Sequence, residues 1–358
     1  MANWSEISQD LLETISNFCS LPEYIRMGAV CKSWLFHLRN TSYFARQLPW
    51  LMMLPNHDET NANALPIPTN VHHFFSLSEQ RIYTIHLPEM SGNRRCCGAF
   101  NNGWLMTVDE KLEIGLFNPW SRIQVQLPHQ STFAEQHFAD EGYDMESLRD
   151  LHIRKASLSD DGNMVMIVYG VGDLGFCRIG DGAWTTVDRE EFLFKDVVFS
   201  KGHFYALSDQ GSVCLCQIDE NNDVAPSLER DVYLGDDHSQ LVFPHTTVGF
   251  EVHEVVSEHG KPSKSPKKVQ SLGDLVLFVG YNSPMIFTAR RFLELKGNRI
   301  YFTDNYYQRY LTEPYGCRDL GIFNMEDGTV EPLFPNRFHP PLSPPLWIAT
   351  PPYSLPRD

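Results

Sequence analysis

SDDGNMVMIVYGVGDLGFCRIGDGAWTTV, residues 159–187, decides between two folds. Within it Gly170, Gly172 and Gly175 stand at G-x-G-x-x-G spacing, directly after the apolar run NMVMIVY. In a dinucleotide-binding fold such glycines turn the chain from a strand into a helix whose N-terminus holds a pyrophosphate. A helix with an apolar stripe must then come next. Instead the chain continues as FCRIGDGAWTTV, which carries Gly180 and Gly182 and then β-branched side chains. That composition suits a second strand, a turn and a third strand ending near Trp184. The three glycines are therefore hairpin residues, and no cofactor is expected.

Working outward, the same plan recurs. NNGWLMTVDEKLEIGLFNPWSRIQVQLP (101–128) is strand, acidic turn, strand, Asn-Pro turn, strand. KGHFYALSDQGSVCLCQID (201–219) is a hairpin about Asp209-Gln210-Gly211, and LGDLVLFVG (272–280) is a further strand. Lys201-Gly202 leading into Phe204-Tyr205 is echoed 95 residues later by Lys296-Gly297 leading into Ile300-Tyr301-Phe302. Two units of roughly 45–50 residues fit that interval, the length of a four-stranded propeller blade. Residues 71–358 are thus expected to form a propeller-like β domain of about six blades, so the chain is mainly β.

The N-terminus has a different period. Ile7, Leu11, Leu12, Ile15 and Phe18 make a helical stripe, with Ser8 placed as N-cap and Asp10 in the first turn. Ser20 and Glu23 stand in capping-box relation around Pro22. A second stripe runs through Tyr24, Met27, Cys31, Trp34 and Leu38. Two or three short helices in residues 1–50 cannot bury themselves and need a partner surface. Residues 51–70, rich in Pro and Asn, are expected to be a linker.

Formal net charge is −16, and all of the excess lies beyond residue 50, where 41 acids face 25 bases. Such a surface repels phosphate backbones, so nucleic acid is not an expected partner. The eight cysteines show no secreted framework, and the acidic N-terminus is no signal peptide. No apolar run is long enough to span a membrane. These features point to reduced thiols and a cytoplasmic or nuclear protein.

Other motifs read as structural. DENND (219–223) starts like a calcium loop, but Val224 and Arg230 stand where Gly and Glu are required. HGKPSK lacks the earlier glycine and the hydroxyl residue of a phosphate loop. KPSKSPKK (261–268) is the one basic island, an exposed loop or, alternatively, a nuclear import signal. Cys96-Cys97, Cys214, Cys216 and His72-His73 lack metal-ligand spacing. With no G-x-S-x-G, no H-E-x-x-H and no nucleophile–base pair, nothing points to an enzyme, a catalytic residue or a metal site.

The N-terminal stretch resembles an F-box. The residues that carry this are Trp4-Ser5-Glu6-Ile7, Asp10 to Ile15, Leu21-Pro22, Arg26 and Val30-Cys31-Lys32-Ser33-Trp34. The family usually has Leu-Pro where this chain has Ile7-Ser8. The remainder resembles the kelch-like β domain that accompanies F-boxes in a large plant family. Its landmarks are GWL (103–105), LFNPWS (116–121), GDGAWT (180–185), SLGDLVLFVG (271–280), NRIYFTD (298–304), DLGIF (319–323) and SPPLWIATP (343–351). Residues 221–268 depart from the pattern. The resemblance implies a substrate-recognition subunit of an SCF-type cullin–RING ubiquitin ligase, bound through the Skp adaptor to cullin and holding a protein substrate on the β domain. It also implies an adaptor interface at Ile7, Leu11, Leu12, Ile15, Leu21, Pro22, Val30 and Cys31, with Trp34 in the core of the helical unit or at its edge. The alternatives are an F-box scaffold or regulator acting outside a ligase and, third, a nucleotide-dependent enzyme using Gly170, Gly172 and Gly175.

Overall fold

A computed structural model describes residues 4–39, 47–53, 70–92, 94–136, 138, 141–187, 192–218, 227–233, 247–254, 257–258, 261–262, 267–303, 319–334 and 345–350. The Asp219–Asp223 turn and most of the expected linker lie outside them.

Among the described residues the strands form five sheets of four or five strands, close to the expected six blades. Blade 1 joins β1 (Trp50–Met53), β2 (Val71–Ser76) and β3 (Arg81–His86) to the last described strand, β25 (Leu346–Ile348). Blade 2 is β4 (Arg95–Ala99), β5 (Leu105–Val108), β6 (Ile114–Phe117) and β7 (Gln124–Gln126). Blade 3 is β8 (Ile153–Leu158), β9 (Met164–Tyr169), β10 (Asp173–Arg178) and β11 (Thr185–Val187). Blade 4 is β12 (Phe194–Ser200), β13 (His203–Ser208), β14 (Ser212–Gln217) and β15 (Ser227–Tyr233). Two short hairpins come next: β16 (Val252–Glu254) with β19 (Lys267–Val269), and β17 (Ser257–Glu258) with β18 (Lys261–Pro262). Blade 5 holds β20 (Leu275–Val279), β21 (Met285–Thr288), β22 (Arg299–Phe302), β23 (Gly321–Asn324) and β24 (Val330–Pro332), with β20 and β22 parallel.

Trp50 pairs with Ile348 and Leu51 with Trp347, so the first and last described strands of the β domain share one sheet. The β domain therefore begins at Trp50, the last residue of the stretch expected to be helical, and Leu51–Met53 lie inside the stretch expected to be linker. WLMM is short and bounded by prolines, and its pairing partner lies at the far end of the chain.

Face-to-face stacking of the blades explains the apolar runs. In β9 the side chains of Val165, Ile167 and Tyr169 pack toward blade 2, and Met166 and Val168 pack toward blade 4. A strand buried on both faces has no polar side, so its period-two alternation vanishes from the sequence. The same split occurs in β1, where Trp50 and Met52 face blade 2 while Leu51 and Met53 face blade 5. Two tryptophans staple neighbouring blades. The Trp120 indole donates to the Ala349 carbonyl at 3.1 Å, and Trp184 donates to Pro128 at 2.9 Å.

Near the axis, Arg95 donates to the carbonyls of Arg149 and Ile153 and to the Tyr281 hydroxyl, the last at 2.7 Å. Lys155 donates to the Gly280 carbonyl at 3.0 Å, and the Ser283 amide donates to Ala99 at 2.8 Å. The β20–β21 turn thus reaches across to blades 2 and 3. Burial pushes the Tyr281 phenol up to about 12, so it stays a neutral partner for the guanidinium.

Candidate functional site

The glycine motif resolves as expected from its flanks. Gly170 and Gly172, both with positive φ (54° and 135°), turn β9 into its antiparallel partner β10. A Cβ on Gly172 would lie 3.1 Å from the Phe194 amide nitrogen, so this turn also abuts the first strand of blade 4. The amide of Phe194 donates to the Gly172 carbonyl at 2.8 Å. The element after the turn is a strand, not a helix.

The other singled-out side chains are packed into sheets. Cys96 and Cys97 are buried in β4, and burial pushes the Cys96 thiol up to about 12. Burial holds the Cys177 and Cys216 thiols equally high. Such thiols remain protonated and unreactive. His72 is buried in β2, where desolvation lowers its pKa to about 4, and neither ring nitrogen has a hydrogen-bond partner among the described residues. His73 instead shares a 3.1 Å hydrogen bond with Thr84. No helix among the described residues is long and apolar enough to cross a membrane.

The helical unit differs from the sheets. It holds α1 (Gln9–Ser16), α2 (Leu21–Gly28) and α3 (Lys32–Arg39). Ser8 caps α1, its hydroxyl accepting from the Leu11 amide, and Asp10 lies in the first turn. At α2 the Ser20 amide and hydroxyl both donate to the Glu23 carboxylate at 2.8 Å, which holds Glu23 below the usual carboxylate range. Tyr24 fastens α2 to α3 by donating to the Leu38 carbonyl at 2.6 Å, and the Trp34 indole donates to Trp4 at 2.9 Å. Trp34 is half-buried, at the edge of the unit's core.

The eight expected interface residues divide three ways. Leu11 (57% exposed), Ile15 (42%) and Val30 face outward. Ile7, Pro22 and Cys31 are half-buried. Leu12 and Leu21, at 1% and 0%, are buried in the chain's own core and cannot meet a partner. Neighbouring residues on a helix are about 100° apart, so Leu11 and Leu12 cannot both lie on one narrow face. Phe18, 87% exposed, lies in the turn just after α1, and Trp4 and Phe36 are also exposed. Phe18 lies on the stripe legible in the sequence. Phe36, two positions beyond Trp34, shows itself only once α3 is oriented. Leu11 and Ile15, four positions apart, thus share one outward face of α1, and Phe18 is exposed in the turn just beyond it.

The inner side of the unit is already covered. Leu12, Leu21, Tyr24 and Leu38 belong to one continuous core cluster with Trp50, Phe74, Met90, Cys96, Phe117 and Trp120 of blades 1 and 2.

A family model described as the KIB1-4 beta-propeller matches residues 74–324. Over most of its length the chain is also similar to proteins of Arabidopsis thaliana. It is 25% identical to F-box protein SKIP23, across 98% of this chain and 96% of that one. It is 24% identical to F-box protein At4g35733, across 94% and 95%. Identity to F-box/kelch-repeat protein At1g57790 is 27%, across 59% and 55%. With its β-propeller blades and its N-terminal helices, the chain belongs to the KIB1-4 beta-propeller family, among the plant F-box proteins that carry such a domain.

Proposed function

We propose that this chain is a substrate-recognition subunit of an SCF-type cullin–RING ubiquitin ligase. Its helices dock on the Skp adaptor, which carries them to cullin, while the propeller holds a protein target for ubiquitination in the cytoplasm or nucleus. The observation that carries this reading is the outward pair Leu11 and Ile15 on α1, with Phe18 exposed just beyond, in a unit whose opposite side is already packed on blades 1 and 2. Surface helices of a self-sufficient domain turn such stripes inward; an exposed one is unfinished until a partner covers it. The F-box names of the relatives support the same assignment. Val30, Ile7, Pro22 and Cys31 complete the contact at its border, and the chemistry of ubiquitin transfer belongs to the partners. Affinity purification of the tagged full chain with a proteasome inhibitor present should recover adaptor, cullin and ubiquitinated proteins together. Recovery of adaptor without ubiquitinated species would point to a scaffold outside the ligase, and absence of adaptor would refute the proposal.

A further inference from the structure

Blades 1 to 4 have four described strands each, and blade 5 has a fifth, β21, at one end of the order β21-β20-β22-β23-β24. Strand β21 pairs antiparallel with β20, and no described strand takes its other side. The Ala289 amide donates to the Asp274 carbonyl at 2.8 Å, one step before the pair Leu275–Thr288, which fixes the phase of this ladder. In an antiparallel ladder, hydrogen-bonded pairs alternate with pairs whose backbone groups point away. Met285 and Phe287 therefore bond to β20, whereas Ile286 and Thr288 turn both N–H and C=O toward the open side. The far side of β20 agrees with that phase, since the Leu275 carbonyl accepts there from the Asn298 amide at 2.9 Å.

Side chains anchor this strand and mark its open side. Met285 is buried in the core shared by blades 1 and 5, and the Phe287 ring makes T-shaped contacts with Phe278 and Phe292, centroids 5.4 and 5.7 Å apart. Ile286 is 64% exposed, and Leu293, just past the turn Ala289–Arg291, is fully exposed. Natural edges are commonly blunted by a charge, a proline or a bulge, and MIFT, the sequence of β21, has none of these. Charge marks the same place. In a chain of net charge −16, residues 275–303 hold one acid, Glu294, against four bases, Arg290, Arg291, Lys296 and Arg299. Arg290 pairs with Asp274 at 3.3 Å and Arg299 donates to Asn324. Arg291 and Lys296 are exposed, with no ion-pair partner among the described residues.

An edge with outward main-chain groups accepts another extended strand, and the side chains around it select which one. An acidic segment is repelled by the acidic remainder of the surface and attracted by Arg291 and Lys296. We propose that β21 is the docking edge for an extended segment of the protein target, with acidic and apolar residues alternating, which adds to blade 5 as a further strand. This rests on the reading above that the propeller holds a protein target.

The test uses a fluorescein-labelled hexapeptide of alternating glutamate and valine, titrated with the full chain and read by anisotropy. Its controls are the lysine–valine analogue and a copy with every amide N-methylated. The acidic peptide should bind at least about tenfold more tightly than either control, one lacking the charge and the other the ladder donors. Arg291→Glu/Lys296→Glu should weaken its binding at least about tenfold, and so should Ile286→Pro, which removes an outward N–H and spares the bonds to β20. Should Ile286→Pro also lower the melting temperature, the charge variant and the N-methylated peptide decide. No saturable binding of the acidic peptide, equal binding of either control, or binding unchanged in the charge variant would overturn the proposal. A dimer of the free chain that Ile286→Pro abolishes would give the edge to a second copy and overturn it too. A wild-type chain that takes the peptide and refuses the adaptor would strike the ligase reading alone.

Discussion

Strand β9 and helix α1 are built from similar apolar residues and end in opposite states. Val165 to Tyr169 are all fully buried, each face of the strand closed by a neighbouring blade. On α1, Leu12 is closed off and Leu11, one residue away, stands in solvent. The blade is finished by its own chain, whereas the helix is finished on one side only. In a molecule of this kind function is to be sought where apolar surface is left over rather than where it is densest.

The comparison can be broken first on stability. Ile167→Ala, in the doubly covered strand, should cost about 2–5 kcal/mol, the range for a buried aliphatic truncation. Leu11→Ala should move stability by no more than about 0.5 kcal/mol. Denaturant midpoints of the two variants check this; a large loss from Leu11→Ala would mean that its side chain is not free of the core.

Buried His72 sharpens the contrast through pH. Its folded pKa of about 4 lies below the ordinary 6.5, so the unfolded chain takes up the proton first as pH falls. Stability from this group is whole above pH 6.5 and is lost as pH falls toward 4, by about 3 kcal/mol. His72→Leu should flatten that part of the stability–pH curve, as read by urea midpoints from pH 7 to 4. An unchanged slope would place the acid sensitivity elsewhere.

A smaller effect is expected at the blade 3 turn. Gly172→Ala should cost about 1–3 kcal/mol, because the left-handed backbone and the Phe194 backbone both resist a Cβ. At Gly162, also of positive φ but with open space around it, alanine should cost about 1 kcal/mol or less. Equal losses at the two sites, measured by thermal denaturation, would mean that contact with blade 4 contributes nothing.

Much of this architecture is legible in the sequence because it is local. The hairpin around Gly170–Gly172 is dictated by the residues after it, and the caps at Ser8 and Ser20 by three-residue spacings. The hidden features depend on distant partners. WLMM becomes a strand only when LWI, some three hundred residues on, pairs with it. The parallel pairing of β20 with β22 likewise leaves no local pattern. On α1 the stripe announces a helix with apolar contacts, but the division into Leu12 inside and Leu11 outside is made by blades 1 and 2, which the local sequence does not describe.

The central claim is that the outward line of α1 is an adaptor interface, and Leu11→Asp with Ile15→Asp tests it most directly. Both positions are exposed, so the variant should fold, with a melting temperature close to wild type. Each apolar side chain buried against a partner supplies roughly 1.5–3 kcal/mol, and an unpaired carboxylate there costs more. Titration of the full chain with purified Skp adaptor should show a dissociation constant raised at least 100-fold. A folded double variant that binds the adaptor as wild type does would contradict the account.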